Sequence, residues 1–154
     1  MTLPLNARPR ELARAVAIAK RVRTACEAVQ RLYPRQFDPS LGGMCEVASL
    51  AVLRLLKRSG IKARAVLGEY RMWPHLWVEA AGHVIDVTAT QFKEIARNDK
   101  VHVEPIPNRR YFKGKRYFRT CHCKDWATPD VDKAVEDVMR RALRASSLSL
   151  RKAA

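Results

Sequence analysis

The sequence predicts an α+β domain in which a central helix packs on an antiparallel sheet. Three observations carry this: two helix-periodic stretches come first, strand-like alternation around a glycine turn follows, and an amphipathic stretch closes the chain.

The first helix is expected from Glu11 to about Tyr33. There Leu12, Val16, Ala19, Val22, Cys26, Val29 and Leu32 recur at helical spacing before Pro34 stops the run. On that stripe Cys26 is a small core residue. RQFDPSLGG, residues 35–43, is turn-rich and leads into a second helix beginning at Met44 or Cys45. Apolar residues cover most of its circumference, which marks it as central, and Lys57, Arg58 and Gly60 supply the cations and the stop expected at its end. IKARAVLGEY, HLWVE and HVIDVT read as strands, the last two joined around Ala80-Ala81-Gly82. A short helical segment is expected near residues 90–98. VHVEPI reads as an edge strand ended by Pro105 and Pro107, and residues 108–116 as a basic loop or hairpin. A last helix is expected from Asp130 to about Arg144, with Pro129 near its start, and the tail 146–154 is expected to fray. No internal repeat interrupts this order, so residues 1–154 are read as a single domain.

The 47% hydrophobic and 29% charged residues are the balance of a folded chain rather than a disordered tail. Thirty lysines and arginines against fifteen aspartates and glutamates give a net charge of +15, which favours anionic partners: an acidic protein or peptide substrate, nucleic acid, or anionic lipid. No apolar run is long enough for a membrane span, and the first 23 residues lack the order of a signal peptide. A cytoplasmic protein is expected, with signal-free export left open. In that setting the four cysteines (Cys26, Cys45, Cys121 and Cys123) are read as free thiols, ligands or a nucleophile rather than disulfides.

Cys45 follows two glycines at the start of the central helix. A helix N-terminus stabilises a thiolate through its dipole and unpaired N–H groups, and those groups can also hold an oxyanion. A thiolate nucleophile needs a proton acceptor, and the acceptor needs an orienting partner. His75 and Asp86 lie in the two strands of one hairpin, and their relation depends on the turn. A turn at Ala80-Ala81 sets them directly opposite, a turn at Ala81-Gly82 leaves them diagonal on one face, and a three-residue loop separates them. The alternative is a pair of ordinary polar residues on a solvated face. Against it, Asp86 sits among Val84, Ile85, Val87 and Thr88, where a carboxylate is costly without a partner.

GGMCEVASLAVLRLLKRSGIKARAVLGEY followed by HLWVEAAGHVIDVTATQF resembles the core of the transglutaminase-like superfamily of papain-type cysteine enzymes. In that superfamily a cysteine opens the central helix, a histidine begins a strand in an H-x-W-V-E context, and an aspartate follows in a D-x-T context. The resemblance covers residues 41–92, about a third of the chain. It implies Cys45 as nucleophile, His75 as general base and acid, and Asp86 as the residue orienting the imidazole. It also implies acyl transfer through a thioacyl-enzyme: hydrolysis of a peptide or glutamine side-chain amide with water as acceptor, or transamidation with an amine. Relatives often use an upstream glutamine as oxyanion donor, and the nearest here is Gln36. Trp73, Trp77 and Gln91 are further candidates for lining the site.

Two other signals compete. Cys121-His122-Cys123 carries zinc-type ligands without a second cluster nearby, so neither a metal nor another cofactor is assigned. The tract NRRYFKGKRYFR, with Arg109, Arg110, Lys113, Lys115 and Arg116 among aromatic residues, suits phosphates and stacked bases, and equally a hairpin with one basic face. Nucleic-acid binding is therefore the alternative to an enzyme.

Overall fold

The computed structural model describes residues 7–70, 73–92, 100–106, 113–118 and 129–152. The order is α1 (Ala7–Leu32), α2 (Cys45–Arg58), β1 (Ala63–Tyr70), β2 (Trp73–Ala80), β3 (His83–Asp86), a 3₁₀ turn (Ala89–Gln91), β4 (His102–Pro105), β5 (Lys113–Phe118) and α3 (Pro129–Lys152). The fold is α+β: among the described residues there are three helices and an antiparallel five-stranded sheet in the order β4-β3-β2-β1-β5.

In α1 the stripe Ala15, Ile18, Ala19, Val22, Ala25, Cys26 and Val29 is buried, spaced by threes and fours as a helix face requires. Leu32, expected on this stripe, is exposed at the helix end, and Val16 sits beside it rather than within it. Helix α2 is buried on nearly every side because it packs on β1 and β2 while α1 and α3 cover it. Its end is a Schellman motif. Gly60, at φ 73°, donates to the Lys57 carbonyl at 3.1 Å, and the buried Ile61 donates to Leu56 at 2.9 Å.

Period-two alternation divides the sheet residues between two cores. Ala65, Leu76, Val78, Ala80 and Ile85 belong to the large core with the helices, whereas Val66, Trp77 and Val84 join Ala89 in a smaller cluster flanked by Phe92 and Ile106. His75 and Asp86 have the parity of this second set.

The β2–β3 turn is Ala81-Gly82, fixed by the pairs Ala80↔His83, Glu79↔Val84 and Val78↔Ile85. Both turn residues have positive φ, 49° and 75°, as a type I′ turn requires. Alanine is the wrong residue for the first position, since an L side chain there crowds its own carbonyl. Ala81→Asn is expected to stabilise the protein by about 1 kcal/mol, read as a higher urea midpoint at unchanged m-value; no gain would exclude strain at this turn.

Residues 93–98 of the expected helix near 90–98 lie outside the described residues, and the part that is described forms only the end of the 3₁₀ turn. The expected edge strand VHVEPI forms over His102–Pro105 as β4. The basic tract contributes β5, which pairs with β1 at the other edge. Its Arg109 and Arg110, like Cys121, His122 and Cys123, lie outside the described residues, as do the side chains of Lys113, Lys115 and Arg116. The tail expected to fray from residue 146 is helical to Lys152. Ser147 returns a hydrogen bond to the Arg144 carbonyl at 2.9 Å, and Ser146 accepts one from Arg21 of α1 at 3.4 Å. Among the described residues no helix is long and apolar enough to cross a membrane.

Candidate functional site

The loop before α2 is built to turn sharply. The Asp38 carboxylate accepts from the Ser40 N–H at 2.8 Å and hydroxyl at 2.6 Å, the Leu41 N–H donates to the Asp38 carbonyl at 2.8 Å, and the Met44 N–H to the Leu41 carbonyl at 3.0 Å. Leu41 takes a left-handed φ of 66° and is fully buried, so its side chain anchors the loop in the core at the cost of backbone strain. Gly43 follows at φ 81°, a conformation in which any other residue would be strained. The chain emerges at Cys45, half-buried at the first position of α2, with no side chain capping the helix. The first-turn amides therefore carry the unspent donors and positive dipole end of a helix start. Beside it, burial pushes the Glu46 carboxyl upward.

Helix and sheet are tied next to His75. Ser49, one turn beyond Cys45, donates its hydroxyl to the Leu76 carbonyl at 3.1 Å in a buried setting. On one side His75 faces Gly68 of β1, which has no side chain to crowd it. On the other, β3 ends at Asp86, which stands opposite Trp77 in the continued register, so β2 runs on past its neighbour and leaves a notch. The residues after β3 fill that notch.

The turn at Ala81-Gly82 makes His75 and Asp86 diagonal neighbours on one face, and they are bonded: His75 Nε2 lies 2.7 Å from Asp86 Oδ2, with both side chains 1% exposed. The other oxygen, Oδ1, accepts from the Thr88 N–H at 2.9 Å and hydroxyl at 3.1 Å. That local pair of bonds turns the chain out of β3 and locks the carboxylate. Burial opposes charge on the His75 ring, but Asp86 and the hydrogen-bonded Cys45 outweigh it and raise its pKa to about 9. With Nε2 committed to Asp86, Nδ1 is the nitrogen left for Cys45 and for Gln91, whose Nε2 lies 3.3 Å from it. Trp77 stacks near the imidazole at 6.1 Å between centroids, and Phe92 meets it edge-on at 4.8 Å.

The structure thus brings together Cys45, His75, Asp86, Trp77 and Gln91. Gln36 is exposed in the turn after α1, with its carbonyl 3.6 Å from where a Cβ on Gly43 would stand. Trp73 begins β2, and its side chain lies outside the described residues. Ser49, Thr88 and Phe92 also belong to the site, and each had a signal in the sequence. Ser49 is the lone hydroxyl in the apolar helix, Thr88 completes D-x-T, and Phe92 ends the same motif.

Arg23 of α1 had no such signal. Its buried guanidinium spans the site's rear: Nη1 donates to the Val87 carbonyl at 2.8 Å, to Thr90 Oγ1 at 2.7 Å and to the Lys100 carbonyl at 3.2 Å, while Nε pairs with Glu27 at 2.9 Å. Thr90 in turn donates to the Ser40 carbonyl at 3.2 Å, which links the Asp86 turn to the loop before Cys45. Cys26, by contrast, is fully buried, and desolvation drives its pKa up to about 12, so it is an inert thiol.

The family model described as "Transglutaminase-like superfamily" matches residues 2–97, more than half of the chain. No curated protein and no solved structure matches it.

Proposed function

The chain belongs to the transglutaminase-like superfamily, and from that premise we propose that it is a cysteine-dependent acyl-transfer enzyme acting on amides, with Cys45, His75 and Asp86 as its catalytic residues. The observation that carries this reading is one buried imidazole held by Asp86 at 2.7 Å and hydrogen-bonded to a thiol on a helix start. His75 Nδ1 takes the Cys45 proton, leaving a thiolate beside an imidazolium that Asp86 steadies. The sulfur attacks the amide carbonyl carbon, and the oxyanion that forms faces the first-turn amides of α2. Nδ1–H then gives its proton to the leaving amine, and a thioester remains on Cys45.

With water as acceptor, the ring removes a proton from the water, hydroxide displaces the sulfur and a carboxylic acid leaves. Hydrolysis of a peptide or of a glutamine side-chain amide is the reading preferred here, because water needs no dedicated pocket. An amine acceptor would give transamidation by the same first half-reaction. The net charge of +15 supports an acidic substrate.

Iodoacetamide at pH 7, followed by intact mass and peptide mapping, tests the nucleophile. Wild type is expected to be alkylated at Cys45 and not at Cys26, and His75→Gln to react roughly a hundredfold more slowly. Equal rates at Cys45 in the two proteins would sink the catalytic reading. On a glutamine-containing peptide, deamidation of the side chain adds about one dalton, cleavage of the backbone gives two fragments and transfer joins two chains, which separates the outcomes.

A further inference from the structure

Away from this site, a cavity of about 450 Å³ lies between α1 and the start of β4. Val16, Lys20, Arg23 and Thr24 line one wall at helical spacing, and Lys100 to Val103 line the other. Its size is that of a small-ligand pocket rather than a packing defect. Among the described residues its lining holds three cations and an imidazole, that of His102, and no carboxylate.

The acids nearby among the described residues, Glu27 and Glu104, do not neutralise it. Glu27 alone serves both Arg23 Nε, at 2.9 Å, and Lys100 Nζ, at 2.9 Å, while Glu104 is taken by His102 at 3.1 Å. Lys20 is exposed and meets no carboxylate among the described residues. The decisive group is Arg23. Its side chain is only 8% exposed, and Nε and Nη1 are spent on four acceptors, yet Nη2 has no hydrogen-bond partner among the described residues. A buried guanidinium with two idle donors at a cavity wall is a fixed, partly desolvated oxyanion receptor.

We propose that this cavity binds a small organic oxyanion, a phosphate- or carboxylate-bearing molecule. Its charged group sits on Arg23 Nη2, Lys20 and Lys100, and its carbon frame packs against Val16, Val101 and Val103. The site is independent of acyl transfer, although Arg23 also holds the Val87 carbonyl next to Asp86, so an occupant would brace the same turn.

Calorimetric titration at fixed ionic strength with phenyl phosphate, benzoate and inorganic phosphate tests it. Saturable one-to-one binding of phenyl phosphate or benzoate is expected, tighter than that of inorganic phosphate, which lacks a frame; the tighter of the two aryl probes identifies the oxyanion. Lys20→Ala and Lys100→Ala should each weaken binding about tenfold. Arg58→Ala, which removes the same charge from the exposed end of α2, should leave it unchanged. Absence of saturation by either aryl probe at tens of millimolar overturns the proposal. So does a dissociation constant that neither lysine variant changes, or that Arg58→Ala weakens equally.

Discussion

Asp86→Asn is expected to slow acylation of Cys45 by a nitrophenyl ester about 10³- to 10⁴-fold without unfolding the protein. The reason is the way the carboxylate is held. Thr88 gives two donors to Oδ1, so an asparagine must keep its oxygen there and turn its amide nitrogen toward His75. An N–H then faces Nε2, the ring proton moves to Nδ1, and the nitrogen left for Cys45 can no longer accept a proton. The negative charge that raises the His75 pKa is lost as well.

A second readout is stability against pH. The folded pKa of His75, about 9, lies above its usual 6.5, so the stability from its pairing is complete below about 6.5 and is lost as pH rises through about 9. Wild type should lose stability over that window, and Asp86→Asn should lose much less. A variant with wild-type acylation and the same pH slope would remove Asp86 from the mechanism.

Arg23→Met is expected to cost about 3–5 kcal/mol, measured by urea unfolding. The methionine keeps the length of the side chain, but the Val87 and Lys100 carbonyls lose their donor, Glu27 keeps only Lys100, and Thr90 loses its link to α1. Against a domain stability of about 5–15 kcal/mol this is a large fraction. Cys45 alkylation should slow as well, because Thr90 connects the Asp86 turn to the Ser40 loop. A loss below about 1 kcal/mol would show that water replaces the guanidinium freely.

What the sequence revealed and concealed follows the range of the interactions. Helix periodicity located α1 and α2, and alternation located β1 to β4, because those signals are local. The hairpin register could be narrowed to a few choices, and backbone sterics at Ala81-Gly82 select among them. The closeness of Cys45, His75 and Asp86 was legible only as a pattern of motifs. The notch beside the imidazole depends on where β3 stops, and the Thr88 bonds to Asp86 set that point. Arg23 was invisible because its partners lie 64, 67 and 77 residues away, and nothing in the α1 stripe distinguishes it from its exposed neighbours. The length of α3 was underestimated because its polar last turns carry no apolar rhythm, yet Ser146 and Ser147 find hydrogen bonds that continue the helix.

The packing of α1 against α3 joins the first helix to the last. As the ribosome extends the chain, α1 is made before everything it needs, and part of its apolar face meets its cover only once α3 has emerged. Few of the contacts that bury α1 are local, so folding must close long loops before the gain from burial arrives. Helix α1 thus waits with greasy surface in water until α3 follows it, and it is there that a chaperone would find its handle.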